Sequence, residues 1–296
     1  MKRRYFLLST SLFVAGCTAA TNNSTKQPQT ETDRQPKKLR FAVSDAKGSE
    51  DLEKEYGALR TVLEKILETK VEFFPVESYI AAASALQLDQ VDLVFTGPSE
   101  YVVMRARTAA VPVVAIQRQK YYSVIVTRAD SQIKSVTDLK GKTIAMWEVG
   151  STSGHLGPTK LLIDAKLDPK TDVKIQLMGK KGLAALKDGK VDAWGGSVAR
   201  YDRFLKDQET STSALPIIAK GPTLPSDPFV ASSKLDPAFV AQIQERLIQN
   251  QDQVLQAISS ADGKKFEGAK MVTVDDANYN TVREVYKAIG QGDFVS

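Results

Sequence analysis

Short apolar runs alternate with amphipathic segments from residue 39 to the C-terminus. Residues 50–67 illustrate the helical type, because Tyr56, Leu59 and Leu63 recur at helical spacing and share one face. Strands that alternate with amphipathic helices are typical of an α/β sheet covered on both faces. The pattern predicts strands at residues 39–43, 71–75, 92–96, 111–117, 121–128, 142–147, 173–177 and 191–194, and helices at residues 50–67, 78–88, 99–107, 153–166, 183–187, 237–258 and 276–289.

The strand and helix pattern restarts near residue 136, which predicts a second α/β unit. Residues 216–228 contain four prolines and have extended character, as expected of a return path into the first unit. We therefore predict two lobes with mostly parallel sheets, the first from residues 39–128 and 226–296 and the second from residues 129–225. Such folds bind ligands outside the carboxyl ends of their strands, so the cleft between the lobes is the expected site.

The N-terminal segment is typical of an export signal. Lys2, Arg3 and Arg4 precede an apolar stretch at residues 5–14 that is too short to span a bilayer. The stretch ends in Val-Ala-Gly-Cys, which resembles the lipobox of bacterial lipoproteins and implies lipid modification of Cys17; a cysteine that merely ends a plain signal peptide is the alternative. Residues 1–16 are thus the predicted signal peptide, and the polar residues 17–38 form a predicted flexible tether.

Charge and composition exclude several classes of protein. Forty basic and 35 acidic residues give a net charge of +5, and the cations form no dense stripe interleaved with aromatic residues, so a nucleic-acid partner is not expected. The single cysteine excludes an internal disulfide, a cysteine-based zinc site and an iron–sulfur cluster. The single histidine excludes a histidine-rich metal site. We expect neither a metal nor a cofactor.

Three consecutive hydroxyl residues, Ser151, Thr152 and Ser153, lie between a predicted strand and the first turn of a predicted helix. The first N–H groups of a helix lack intrahelical acceptors and carry a partial positive charge. An oxyanion can therefore accept several hydrogen bonds there without a lysine. The alternative is that one of these serines is only a helix N-cap.

The chain resembles the phosphonate-binding family of periplasmic binding proteins over residues 39–247. The resemblance implies a two-lobed type II periplasmic binding protein fold and a ligand delivered to an ABC importer. Five motifs in the same order carry it: Phe-Thr-Gly-Pro-Ser-Glu-Tyr at residues 95–101, Tyr-Ser-Val-Ile-Val at 122–126, Asp-Leu-Lys-Gly-Lys at 138–142, Ser-Thr-Ser-Gly at 151–154 and Gly-Lys-Val-Asp-Ala at 189–193.

The resemblance also implies a set of ligand-binding residues. The hydroxyl triplet matches the group that holds the phosphoryl oxygens, and Asp192 matches a carboxylate of the same site that could accept a ligand P–OH. Tyr79 and Tyr101 match tyrosines that reach the ligand from the first lobe. The alternatives are an ordinary carboxylate at a strand end for Asp192 and core positions for the tyrosines.

Three residues depart from the family pattern. Lys180 lies where the family often has a histidine, and it either contacts the anion or faces solvent. His155 follows the triplet and either packs at the rim or contacts the ligand. Trp194 is two residues beyond Asp192 on a predicted strand, so its indole is expected on the same side, as a wall for the ligand's side arm.

Together these features predict an extracytoplasmic, lipid-anchored protein that binds a phosphonate or a related small phosphorus oxyanion such as phosphite. The expected partners are that ligand, an ABC transporter permease and the membrane through Cys17, and the expected state is a monomer. A sensing module for a membrane signalling protein is one alternative. An extracellular phosphate-ester enzyme is another, disfavoured because no metal-ligand cluster or nucleophile–base pair is evident.

Overall fold

The computed structural model describes residues 36–46, 48–78, 81–259 and 261–296. The predicted signal peptide, Cys17, residues 18–35 of the predicted tether and Tyr79 lie outside the described residues. The strands are β1 (Lys38–Val43), β2 (Lys70–Phe73), β3 (Leu93–Phe95), β4 (Val111–Gln117), β5 (Tyr122–Thr127), β6 (Thr143–Met146), β7 (Lys174–Leu177), β8 (Ala193–Ser197), β9 (Ile217–Thr223), β10 (Asp227–Ala231) and β11 (Lys270–Val272). The helices are α1 (Gly48–Leu67), α2 (Ala81–Gln87), α3 (Pro98–Thr108), α4 (Gly157–Asp164), α5 (Gly182–Lys187), α6 (Val198–Asp207), α7 (Pro237–Gln249), α8 (Gln251–Ile258), α9 (Ala261–Lys264) and α10 (Asn280–Ala288).

The strands form two mixed sheets. The first has the order β11-β4-β10-β3-β1-β2, with β1 parallel to β2 and β3, and with β10 antiparallel to β3 and β4. The second has the order β7-β6-β8-β5-β9, with β6 parallel to β7 and β8, and with β5 antiparallel to β8 and β9. The α/β architecture is confirmed. The sheets are less parallel than predicted, because strands that pass directly from one sheet to the other need no helical crossover and are free to pair antiparallel.

Both faces of each sheet are buried, as the alternation of side chains along the strands shows. In β1, Phe41 and Val43 belong to one apolar cluster and Ala42 belongs to the cluster on the opposite face. In the second sheet, Val124 and Ile125 likewise enter clusters on opposite faces. Successive residues of a strand point to opposite faces, so helices must cover both sides of each sheet.

The chain crosses between the two sheets twice. Residues 118–121 lead from β4 to β5, and residues 224–226 lead from β9 to β10. The two crossings are joined where the Leu224 N–H donates to the Tyr121 carbonyl oxygen over 2.8 Å. The predicted lobe boundary at residue 128 falls after β5, whereas the chain changes sheet before it. We call the first sheet with its helices the first lobe and the second sheet with its helices the second lobe.

Several elements differ from the sequence prediction. The predicted helix at residues 153–166 begins as a π-helical turn, Thr152–Leu156, and continues as α4. The predicted helix at residues 237–258 is divided at Asn250 into α7 and α8. Helix α6 and strand β11 were not predicted. No helix in the described part of the chain has both the length and the apolar character needed to cross a bilayer.

Candidate ligand-binding site

The carboxyl edges of the two sheets face each other and enclose a small polar cavity. At the edge of the first sheet, Asp45 follows β1, Arg118 follows β4 and Asp227 begins the antiparallel β10. At the edge of the second sheet, the hydroxyl triplet of Ser151, Thr152 and Ser153 follows β6, and Arg200 follows β8. The cavity has a volume of about 30 Å³, and its walls are Asp45, Gly97, Glu100, Arg118, Tyr121, Ser151, Thr152, Ser153, Arg200, Asp227 and Lys265.

The triplet is held in a tight turn after β6. Ser151 caps the π-helical turn, since its Oγ accepts a hydrogen bond from the Gly154 N–H over 3.3 Å. Gly154 is required by close packing, because a Cβ at that position would lie 2.4 Å from the Cβ of Trp147. The Ser-Thr-Ser-Gly sequence thus combines a capping residue with a residue that lets the turn lie against Trp147.

The three hydroxyl groups of the triplet are in different states. Thr152 Oγ1 accepts a hydrogen bond from the Ser99 N–H over 3.0 Å and lies 2.7 Å from Ser99 Oγ, so it joins the second lobe to the first. The Ser153 hydroxyl has no hydrogen-bond partner among the described residues, although only 4% of the residue is exposed. Ser153 is therefore the member of the triplet most available to donate to a ligand, because it lines the cavity and its hydroxyl has no competing partner among the described residues.

The first lobe contributes two buried ion pairs. Arg118 donates two hydrogen bonds to Asp227, over 2.5 and 2.7 Å, and Lys265 pairs with Asp45. Burial by itself would lower the pKa of Arg118, but the Asp227 carboxylate outweighs it and raises that pKa. Burial by itself would raise the pKa of Asp45, but Lys265 outweighs it and lowers that pKa. Asp227 differs, since burial raises its pKa in spite of the Arg118 guanidinium. In each pair the cation and the carboxylate lie close enough to offset each other's charge within the wall.

Arg200 brings positive charge from the second lobe. Its guanidinium lies 3.9 Å from the ring centroid of Trp147, and none of the described residues provides a carboxylate partner for it. A guanidinium presents several N–H donors in a plane and suits the paired oxygens of a carboxylate or phosphoryl group. Arg200 is thus available to bind an anion in the cavity.

Glu100 and Tyr121 add a carboxyl and a phenol whose pKa values are raised by burial. Glu100 is 6% exposed, and burial raises the pKa of its carboxyl to about 7. Burial also raises the pKa of Tyr121, whose ring lies 3.3 Å from the Arg118 guanidinium carbon. A phenol that remains protonated is a hydrogen-bond donor. The cavity therefore combines hydroxyl donors, one unpaired cation and two neutralised ion pairs, which is an arrangement suited to a compact oxyanion.

Asp192 does not lie in this cavity. It precedes β8 and accepts a hydrogen bond from the Thr143 N–H, at the start of β6, over 2.8 Å. The triplet follows the other end of β6, and β6 and β8 run parallel, so Asp192 and the triplet lie at opposite edges of the second sheet. The prediction that Asp192 accepts a ligand proton is therefore not supported, because the carboxylate caps a strand on the far side.

Tyr101 is also absent from the cavity wall. It is fully buried, its hydroxyl donates to Asp276 over 2.6 Å, and its ring centroid lies 4.5 Å from that of Tyr279. Tyr101 therefore occupies a core position, which is the alternative that the sequence left open for it. Tyr121 is the cavity tyrosine instead, and Tyr79, the other predicted tyrosine, lies outside the described residues.

The residues that depart from the family pattern do not line the cavity either. Lys180 is exposed in a turn, Gly179–Lys181, after the edge strand β7. His155 is half-buried with its Nδ1 atom unpartnered among the described residues, and burial lowers the pKa of its imidazole, so it is not a cationic contact at neutral pH. Trp194 is 2% exposed and belongs to the core of the second lobe, so it does not wall a ligand.

Sequence patterns missed most of the charged residues of the cavity. Position relative to a predicted strand could have indicated Asp45 and Arg118, since each directly follows a strand that ends at the cleft. Lys265 had no such signal, because it lies 220 residues from its partner Asp45. Only folding brings these groups together.

A larger cavity of about 400 Å³ lies on the other side of Thr152, beside the two crossings. Its walls come from α10, α4 and residues 221–226, and Lys160 is its only charged residue. An oxyanion site needs several converging donors. The smaller charged cavity is therefore the better candidate, despite its size.

Comparison with known proteins identifies the family. A family model described as "ABC transporter, phosphonate, periplasmic substrate-binding protein" matches residues 41–280. The phosphate-import protein PhnD of Mycolicibacterium smegmatis is 27% identical over 94% of both chains, and a probable ABC transporter phosphite-binding protein, PhnD1, of Prochlorococcus marinus is 25% identical over 80% of both chains.

The fold agrees with a solved structure of this class. The structure of Prochlorococcus marinus PhnD1 in complex with methylphosphonate has a TM-score of 0.68 and 21% identity, covering 87% of this chain and 100% of that one. The chain therefore belongs to the family of periplasmic substrate-binding proteins of phosphonate ABC transporters, which are extracytoplasmic binding proteins and not enzymes.

Proposed function

We propose that this protein is a lipoprotein that binds a small phosphorus oxyanion, a phosphonate or phosphite, and delivers it to an ABC importer. The observation that carries the proposal is the small cavity between the sheets, in which the free hydroxyl of Ser153 and the unpaired Arg200 face the buried wall of the first lobe. A ligand that touches both lobes stabilises the closed arrangement through its additional contacts there.

The chemistry of the cavity favours a compact tetrahedral anion. Hydroxyl and backbone donors at a helical turn suit the oxygens of a phosphoryl group, and the guanidinium of Arg200 suits a pair of them. The relatives support the same ligand class, since their names give phosphate and phosphite, and the solved structure holds methylphosphonate. What these compounds share is a small phosphorus centre with several oxygens.

Calorimetric titration of the purified protein with methylphosphonate, phosphite, phosphate and sulfate tests the ligand class. We expect saturable one-to-one binding of at least one phosphorus oxyanion, with sulfate weaker. Arg200→Gln should weaken that binding, because it removes the unpaired cation, and Lys190→Gln is the matched control at an exposed position outside the cavity. Tightest binding of sulfate, or equal binding by the Arg200 variant, would contradict the proposal.

The lipid anchor rests on the sequence Val-Ala-Gly-Cys and the polar residues that follow it. Cys17→Ser should move the protein from the membrane fraction to the soluble fraction, since a thioether-linked lipid requires the sulfur. Mass spectrometry of the membrane-bound wild-type protein should find acyl chains on Cys17 as the first residue. An unchanged membrane fraction in the Ser variant would show that another feature holds the protein there.

A further inference from the structure

We propose that Glu100 and Ser99 control the number of O–H donors that the cavity offers to its ligand, by setting the direction of a hydroxyl chain that ends on Thr152. The proposal rests on the proposed function, because the ligand is taken to be an oxyanion in the small cavity. It makes Glu100 a positioning residue for the donors and a determinant of the ligand charge that the site accepts.

The chain is a continuous line of short contacts across the cleft. Ser99 Oγ lies 2.7 Å from Glu100 Oε2 and 2.7 Å from Thr152 Oγ1, and all three residues are buried. Glu100 and Ser99 belong to the first turn of α3, and Thr152 belongs to the second lobe. The carboxyl group folds back over Gly97, where a Cβ would lie 2.6 Å from Oε2, so the absence of a side chain at residue 97 permits this conformation.

The direction of the chain follows from counting hydrogens when Glu100 is ionised. A carboxylate can only accept hydrogen bonds, so Ser99 must donate its single hydroxyl hydrogen to Glu100. The contact between Ser99 and Thr152 then requires Thr152 to donate to Ser99. Thr152 thereby has no hydrogen left for a ligand, and the cavity carries one additional negative charge.

Protonation of Glu100 reverses the chain. The neutral carboxyl can donate through Oε2 to Ser99, and Ser99 can then donate to Thr152. The Thr152 hydroxyl hydrogen is released toward the cavity, where a bound oxyanion or the hydroxyl of Tyr121, its hydrogen-bond partner, can accept it. The protonated protein therefore offers one more donor and one less negative charge to an oxyanion.

The surroundings of Glu100 bring the pKa of its carboxyl close to neutral pH. Burial is the main cause of its raised pKa, and the Asp45 and Asp227 carboxylates raise it further, to about 7. The carboxyl is therefore protonated below about pH 7 and ionised above it, so anion affinity should be highest at low pH and fall as pH rises. The titratable and charged groups that face it are Asp45, Arg118, Tyr121, Arg200, Asp227 and Lys265 of the cavity wall, with Tyr286 of α10 nearby.

The test compares Glu100→Gln with the wild-type protein, since an amide resembles the neutral carboxyl and can donate to Ser99 at any pH. Dissociation constants for methylphosphonate are measured by calorimetry at several pH values from 6 to 8.5. The ligand's own ionisation cancels in the ratio of the two constants at each pH. We expect the two proteins to have similar affinities at pH 6. By pH 8 the variant should bind about tenfold more tightly, because the protonated fraction of Glu100 in the wild type falls about tenfold for each pH unit above its pKa.

Ser99→Ala supplies the second variant, and it leaves Glu100 in place. It breaks the chain and leaves only the charge of Glu100, so its affinity relative to Glu100→Gln should fall less with pH than that of the wild type. A pH-independent ratio for wild type against Glu100→Gln would overturn the proposal, and so would a wild-type pH response in Ser99→Ala, which would show that the carboxylate acts by charge alone. Failure of the wild-type protein to bind any phosphorus oxyanion at any pH would instead overturn the proposed function, on which this inference rests.

Discussion

The two edges of the second sheet both carry polar cavities, but among the described residues only the cavity at the carboxyl edge contains a buried residue whose hydroxyl has no partner. At the amino edge, a cavity of about 370 Å³ is lined by Asp138, Lys142 and Asp192 among others. Its carboxylates are already used, since Asp192 accepts from Thr143 N–H and Asp138 accepts from Lys134 and Ser135 N–H groups. The hydrogen bonds from these backbone groups and from the Ser135 hydroxyl lower the pKa of Asp138.

The carboxyl edge differs in the state of its polar groups. Its cavity is far smaller, yet the Ser153 hydroxyl and Arg200 have no acceptor among the described residues. Both groups line the cavity and neither is used by another described residue, so a ligand in the cavity can complete their hydrogen bonds. The difference between the edges shows that unused donors which converge on one cavity between the lobes mark a binding site better than the size of a cavity or its number of carboxylates.

The largest effect is expected from Arg118→Ala, which tests whether the charged wall is a structural part of the fold. The substitution leaves the buried Asp227 carboxylate without its guanidinium partner, and breaking a buried pair in this way costs about 3–5 kcal/mol. Denaturant unfolding of the two proteins measures the difference. Lys70→Ala removes a partner from an exposed pair with Glu72 and should leave the midpoint unchanged. A small loss in the Arg118 variant would show that the cavity wall is not held by this pair.

A smaller effect, on binding and not on stability, is expected from Ser153→Ala. Loss of a hydrogen bond to a charged ligand costs about 1.5–3 kcal/mol, so the dissociation constant for the phosphorus ligand should rise ten- to a hundredfold. The matched control is Ser131→Ala at the amino edge, which should leave the affinity unchanged. Equal effects of the two substitutions would remove the distinction between the edges.

The smallest effect is expected from Asp192→Asn. An amide oxygen can still accept from the Thr143 N–H, so the loss of stability should stay below about 1 kcal/mol, and the ligand affinity and its pH dependence should match the wild type. Calorimetric titration at two pH values and thermal unfolding measure both quantities. A loss of phosphonate affinity in this variant would restore the role that the family resemblance implied for Asp192.

The sequence predicted the features that depend on local patterns. Apolar periodicity placed most strands within one or two residues of their observed bounds, as for β1 and β4, and the three hydroxyl residues after a strand indicated the turn that now forms one wall of the cavity. Asp192 lies away from the triplet because the observed strand begins at Ala193 and runs parallel to β6. A carboxylate that precedes such a strand lies at the edge opposite to the one that the triplet follows.

What the sequence determined by itself was the α/β class, the presence of two sheets and the position of the candidate anion-binding turn, because each depends on neighbouring residues. The tertiary structure alone decided which side chains share the cavity. Arg118 pairs with Asp227, which lies 109 residues away in the sequence, and Ser99 contacts Thr152, which lies 53 residues away. Both contacts form because the chain crosses twice between the two sheets. Contacts between residues so distant in sequence depend on strand order and register, which hydrophobic periodicity does not encode.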